Sequence, residues 1–176
     1  MTRTLPWSDA QNTQAAAGWL ELGDPTEAAR ALAQVDAARL QHPAVLEMRA
    51  KIYAVARQWH ACLSAADQLT DVAPERASGW LLLAQAQHGL HHTADACETL
   101  LGVLDRFPED PSLACQLACY GYHLGWMREA HQWLERALEI SKTLALDLGT
   151  ANDPILTRLL MSNPTSPACR AQGSDC

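Results

Sequence analysis

The chain has 176 residues, 48% of them hydrophobic and 19% charged, which suits one domain or one short repeat array and excludes disorder along its whole length. A chain of this size buries a real core without a disulfide or metal staple. Thirteen basic residues against 20 acidic ones give a net charge of −7, which excludes the basic surface that general binding to nucleic acid or an anionic membrane needs.

The chain opens Met1-Thr2-Arg3-Thr4-Leu5-Pro6-Trp7 with no apolar stretch behind the arginine, so no signal peptide is expected. No window approaches the ~18 uninterrupted apolar residues of a membrane span. The six cysteines, Cys62, Cys97, Cys115, Cys119, Cys169 and Cys176, are not spaced as a disulfide framework and are expected to be reduced. A cytoplasmic location follows from these readings. The preference for Arg over Lys and the abundance of Ala point to GC-rich coding and a bacterial source.

Beyond an arm at 1–8, the chain repeats. Pro74 and Pro108 lie 34 residues apart, and the same interval links Ala16, Ala50, Ala84 and Ala118. It also links the small residues Ala28, Cys62, Ala96 and Ala130. Leu32, Ala66, Leu100 and Leu134 recur in step, as do Val35, Leu69, Val103 and Ala137. The frame is therefore 9–42, 43–76, 77–110 and 111–144, four units without insertion. Within a unit the apolar residues fall at helical spacing, as in Leu113, Leu117 and Tyr120, then Met127, Ala130, Leu134, Ala137 and Leu138.

Each unit therefore holds two helices. Their boundaries are marked by Gly23-Asp24-Pro25, Arg57-Gln58, His91-His92 and Gly125, with Pro25, Pro43 and Pro111 suited to first helical turns. The two small residues per unit mark where paired helices approach closely, because a larger side chain there would separate the backbones. Trp59 and Met127, at equivalent places after their turns, are expected in the core, as is Trp80; Trp126 is the candidate for exposure. Asp153-Pro154 reads as a helix start, and Ile155, Leu156, Leu159 and Leu160 form a stripe suited to covering the last unit. Residues 145–162 are thus linker and capping helix, and 163–176 are expected to be disordered.

The 34-residue period, the two helices and the pattern of small and large residues resemble the tetratricopeptide repeat (TPR) over residues 9–144. The clearest matches are Trp80, Leu83, Ala84, Ala96 and Pro108 in the third unit, and Leu117, Ala118, Gly125, Ala130, Leu134 and Ala137 in the fourth. The second offers Leu46, Ala50, Tyr53 and Pro74; the first keeps Trp19, Gly23-Asp24, Glu27-Ala28 and Leu32. Arg49 departs from the family's usual apolar residue, and Gln87 and Gly121 from a usual aromatic. The stretch Leu113–Tyr120 followed by Leu124-Gly125 is also similar to small solitary bacterial TPR proteins of unassigned role. The resemblance implies an all-α fold, a right-handed α-solenoid of four tandem helix-turn-helix units plus a C-terminal capping helix.

It further implies a concave peptide-binding groove lined by the first helix of each unit. Carried over position by position, the groove takes Thr13, Ala17, Leu20 and Glu21 from the first unit and Glu47, Lys51 and Val55 from the second. The third supplies Ser78, Leu81, Gln85 and His88, and the fourth Ser112, Cys115, Cys119, Tyr122 and His123. The strongest candidates are Glu47, Lys51, Leu81, Gln85, His88, Cys115, Cys119, Tyr122 and His123. Lys51 is the only cation in this set, so a clamp for a terminal carboxylate, which in some TPR proteins uses several cations, is not expected. Tyr122 is read as an open contact whose truncation spares stability.

The expected function is a non-catalytic protein–protein interaction module, with a peptide or partner protein in the groove and homo-oligomerisation left open. A chaperone for secreted proteins is a rival reading. So is a metal or redox role for Cys115, Cys119 and His123, which fall four apart on one helix face, with His88 as a further ligand. His88, His91 and His92 otherwise read as an exposed polar turn. No cofactor or metal is assigned. The sequence has no Gly-rich phosphate loop, no HExxH and no GxSxG, so no enzyme is expected.

Overall fold

The computed structural model describes residues 4–144 and 154–162. Among them the secondary structure is helical: α1 (Trp7–Glu21), α2 (Pro25–Leu32), α3 (Pro43–Val55), α4 (Trp59–Val72), α5 (Ala77–Gly89), α6 (Thr93–Leu101), α7 (Pro111–His123), α8 (Met127–Leu144) and α9 (Pro154–Ser162). Short 3₁₀ turns occupy Ala37–Arg39 and Leu104–Arg106. The expected linker at 145–153 and tail at 163–176, with Cys169 and Cys176, lie outside the described residues. No helix among the described residues is long and apolar enough to cross a membrane.

The 34-residue register is reproduced in burial. Ala16, Ala50, Ala84 and Ala118 are fully buried, and so are Ala28, Cys62, Ala96 and Ala130. The turns repeat equally closely. Gly23, Arg57, His91 and Gly125 all have positive φ, between 56° and 78°. Each is followed by a residue whose N–H reaches back to a carbonyl five residues earlier. Asp24 donates to Trp19 at 2.9 Å, Gln58 to Tyr53 at 2.8 Å, His92 to Gln87 at 2.9 Å and Trp126 to Gly121 at 2.8 Å. This is a Schellman ending on every first helix, and it satisfies carbonyls the helix leaves orphaned. Glycine adopts the left-handed conformation without steric cost, whereas Arg57 and His91 hold it against roughly 1 kcal/mol or more of strain.

Caps fix the starts. The Asp24 carboxylate accepts from the N–H groups of Thr26 and Glu27, both at 3.0 Å, directly before Pro25. Asp110 accepts from Ser112 at 2.9 Å, and the His42 Nδ1 accepts from Ala44 at 3.2 Å, each before a proline at the first turn. Prolines at these places lose no hydrogen bond, because the first-turn N–H groups have no helical partner.

The chain divides into two compact units, Met1–Ala96 and Cys97–Cys176. In the first, α1 packs on α2, α3 on α4 and α4 on α5, with α1 and α5 both against α3. One cluster joins Ala16, Ala28, Leu32 and Val35 to Val45 and Ile52; another joins Leu46, Ala50, Cys62 and Leu69 to Leu82 and Ala86. Trp59 packs against this second cluster. Its ring runs beneath Gly89, where an added Cβ would come within 2.3 Å. A glycine at that point of α5 is what admits the indole.

In the second unit α7 pairs with α8, and α9 lies on both. Gly121, which departs from the aromatic usual in such repeats, faces Ala130, where a Cβ would meet the alanine methyl at 3.3 Å. The small residue lets the two helices close. Leu156 and Leu159 of α9 complete the cluster of Ala118, Ala130 and Leu134, so this helix caps the pair as its apolar stripe implies. His131 ties α8 to α9, its Nε2 3.1 Å from the Leu159 carbonyl oxygen.

Two expected core residues lie elsewhere. Met127 opens α8 and is 39% exposed. Trp80 is half-buried, because its indole N–H donates to the Pro74 carbonyl oxygen at 3.0 Å and holds the ring against the preceding loop. Trp126 is 47% exposed. Arg49 runs its stem along a cavity of about 180 Å³ lined by Leu32, Leu40, Ile52 and Tyr53, and donates to the Leu40 carbonyl at 3.4 Å. An aliphatic stem with a polar head serves there in place of an apolar residue.

Two substitutions probe this geometry. Ala118→Leu inserts three carbons into a closed seam and should cost about 1–3 kcal/mol in a urea melt. An unchanged midpoint would contradict the register. Gly125→Ala meets no atom within 4 Å and should still lose about 1 kcal/mol from its positive φ alone.

Candidate functional site

The candidate residues are best described unit by unit. In the unit ending at Ala96, α3 and α5 pack on each other and carry the candidates beside their core positions. Glu47 and Lys51 flank Ala50 on α3; Leu81, Gln85 and His88 flank Ala84 on α5. Lys51 is exposed, and the other four are half-buried.

Glu47 is the electrostatic centre of this face. Its Oε1 accepts from Lys51 Nζ at 2.8 Å, one helical turn on, and its Oε2 accepts from Arg76 at 3.0 Å. Burial alone would raise the Glu47 carboxyl, but the hydrogen bonds and charges of Lys51 and Arg76 outweigh it and hold the group below its ordinary value. The cluster fastens α3 to the residue that opens α5.

Arg76 is absent from the sequence candidates, since it lies 29 residues from Glu47. A signal is present, however. Arg76 occupies the N-cap of α5 and makes no side-chain cap. A cation at a helix N-terminus opposes the helix dipole, which implies that its charge is engaged elsewhere.

The histidines of the α5–α6 turn do not form one site. His88 Nδ1 lies 3.0 Å from the Thr93 hydroxyl, His92 pairs with Asp95 at 3.2 Å, and His91 holds the left-handed turn. Their shared neighbourhood in sequence serves three separate local contacts.

In the unit beginning at Cys97, α7 carries Cys115, Cys119, Tyr122 and His123. The first three are half-buried and pack against the cluster that includes Leu156 and Leu159. Tyr122 is therefore part of the contact with the capping cluster as well as a candidate binding residue, and truncating it removes core packing. That corrects the expectation of an open Tyr122 whose loss spares stability. His123 is exposed, with its ring edge-on to Tyr122 at 6.1 Å between centroids.

Among the described residues, no three His, Cys, Asp or Glu side chains are gathered as a metal ion would need. The buried thiols are also held protonated: desolvation pushes Cys62 up to about 11 and raises Cys97. Cys62 instead acts as a small core residue whose thiol points to the Leu82 carbonyl at 3.9 Å.

A helix-pair repeat with paired small residues, left-handed turns and a capping helix defines a helical-repeat protein. No protein-family model matches the chain, and no curated protein matches it. Solved structures do. A thermophilic TPR protein of Thermus thermophilus superposes with a TM-score of 0.74 at 18% identity, over 88% of this chain and 82% of that one. A crystal structure of MamA gives 0.65 at 13% identity, over 78% of this chain and 80% of that one. A MamA RS-1 double mutant gives 0.65 at 18% identity, over 79% and 78%. The chain has the tetratricopeptide-repeat fold, of the α-solenoid class.

The Glu47 cluster has a defined pH signature. A carboxylate whose folded pKa is depressed contributes stability above its unfolded pKa and loses it as pH falls through the lower folded value. The stability gap between wild type and Glu47→Gln should therefore be full near pH 7 and close as the pH drops below the ordinary glutamate range. Added salt should narrow it, since Lys51 and Arg76 are more than a third exposed. Urea midpoints across pH and salt check both; a gap that is constant with pH would show that Glu47 acts through packing.

Proposed function

We propose that the protein is a non-catalytic interaction module that holds a peptide segment or a partner protein against the groove-facing sides of its TPR first helices. The observation that carries this reading is the face of α3 and α5. Leu81, Gln85 and His88 lie beside the core seam without being consumed by it, next to a Glu47 whose charge is already answered by two cations. The local balance there is one positive charge in excess, in a chain of net −7. Leu81 offers an apolar contact, Gln85 an amide, and Lys51 with Arg76 a cationic end. That combination suits an extended segment carrying an apolar side chain and a carboxylate, with the cations setting its direction. His123 and Ser112 are the exposed candidates on α7. The likeness to TPR structures supports a binding role, because repeat folds of this type generally work through extended surfaces.

Affinity capture from the native cell tests the reading. Leu81→Ala should lose the partner while costing about 1 kcal/mol of stability or less, because the side chain is only half-buried. Lys51→Glu should weaken capture and its salt dependence together. Trp126→Ala, outside the candidate face, should retain the partner. Equal recovery by all three variants would move the working surface off α3 and α5.

A further inference from the structure

Between α2 and α3 the first compact unit holds a cavity of about 180 Å³. Its lining runs from the buried Leu32 and Ile52, through the half-buried Leu40, Arg49 and Tyr53, to the exposed Ala29, so it opens to solvent.

The repeat explains why the space exists. Ala29, Leu32, Arg49 and Ile52 have Leu63, Ala66, Leu83 and Ala86 as their equivalents 34 residues on. There the inner pair, Ala66 and Ala86, is small, and Leu63 and Leu83 pack against the core around it. Here the inner pair is large, and the outer pair is an alanine and an arginine. The bulk has moved inward, and the outer layer is left partly empty.

Arg49 brings a charge to this space without a carboxylate to answer it. Its one hydrogen bond among the described residues, to the Leu40 carbonyl oxygen at 3.4 Å, is long for an N–H···O contact. A guanidinium has five N–H donors to satisfy. Residues 25–55 hold three acids, and each is engaged elsewhere. Glu27 pairs with Arg30, Asp36 accepts from the Ala38 N–H at 2.9 Å, and Glu47 pairs with Lys51 and Arg76.

A half-buried guanidinium beside apolar walls holds a carboxylate more firmly than one in open water, because water competes less for either charge. The lining contains no acid, so a ligand that also carried an ammonium group would leave that charge unanswered. At ~30 Å³ for each water-sized group, the space admits on the order of six non-hydrogen atoms.

We propose that this cavity binds a short, branched aliphatic monocarboxylate, its body on Leu32 and Ile52 and its carboxylate on the Arg49 guanidinium. At ~100° per residue Arg49 lies across α3 from Glu47 and Lys51, so the site is separate from the groove reading and does not rest on it.

Titration of the full chain with isovalerate at neutral pH, followed by calorimetry and NMR, tests this. Saturable one-to-one binding is expected, with a dissociation constant on the order of millimolar for so few atoms. 3-Methylbutan-1-ol keeps the body without the charge, and acetate keeps the charge without the body. Each should bind about tenfold more weakly or worse. Arg49→Leu installs the residue of the next repeat and should abolish binding. Ala29→Leu fills the cavity, keeps the guanidinium, and should also weaken binding about tenfold or more. Circular dichroism should show both variants folded. An N-acetylated tripeptide ending in leucine carries the same chemistry on a chain terminus, and should bind more weakly because its chain must cross the rim. A wild type that isovalerate never saturates would overturn the proposal. So would unchanged binding by Ala29→Leu, which would reduce the contact to a surface ion pair, or tighter binding of the tripeptide, which would make the occupant a chain end.

Discussion

Everything in this protein depends on how closely two helices of one repeat can approach. Three helix pairs meet the constraint with two small, fully buried residues twelve positions apart in one cluster, Ala16 with Ala28, Ala50 with Cys62 and Ala118 with Ala130, and Ala84 and Ala96 are buried at the same spacing. Once the backbones are this close, little remains adjustable. The first helix must end sharply, and it does so through a left-handed residue and a hydrogen bond five residues back in every unit. The requirement is strong enough that Arg57 and His91 accept a conformation that glycine adopts freely. Where the contact tightens further, glycine itself is recruited, at Gly121 against Ala130 and at Gly89 over Trp59.

The same constraint produces the protein's surfaces. A helix pair has more apolar face than it can bury alone, so each end of a repeat array is a separate problem. At α7 and α8 the solution is α9, whose Leu156 and Leu159 enter the cluster of Ala118 and Leu134. That solution draws Cys115, Cys119 and Tyr122 into partial burial and leaves His123 as the open member of the set. At α1 the corresponding face stays bare, with Trp7 and Leu22 exposed. The core seam thus fixes which sides of each helix are left over.

Charge is used sparingly and locally. Glu47, Lys51 and Arg76 link one first helix to the start of the next, and the carboxylate keeps its charge there in spite of partial burial. The thiols follow the opposite course. Cys62 and Cys97 are desolvated, which raises both thiols, and they serve as small core residues.

The period, the helix pairs, the capping helix and the small-residue seams are legible in the amino-acid sequence alone. Each of these rests on interactions within a turn or two of chain, or on volume limits that repeat every 34 residues, so the pattern is written four times over. Gly23, Arg57, His91 and Gly125 can be picked out as turn positions without coordinates for the same reason. Whatever depends on partners distant along the chain is settled only by the packed molecule. Arg76 reaches Glu47 across 29 residues, His131 reaches Leu159 across 28, and Trp80 turns from the core to the Pro74 carbonyl. Whether Tyr122 is open or half-buried depends on where α9 docks, and whether Trp7 and Leu22 are covered depends on whether another helix pair lies against α1. Helical periodicity places a side chain on a face of its own helix, but only neighbouring elements in three dimensions determine whether that face meets protein or water.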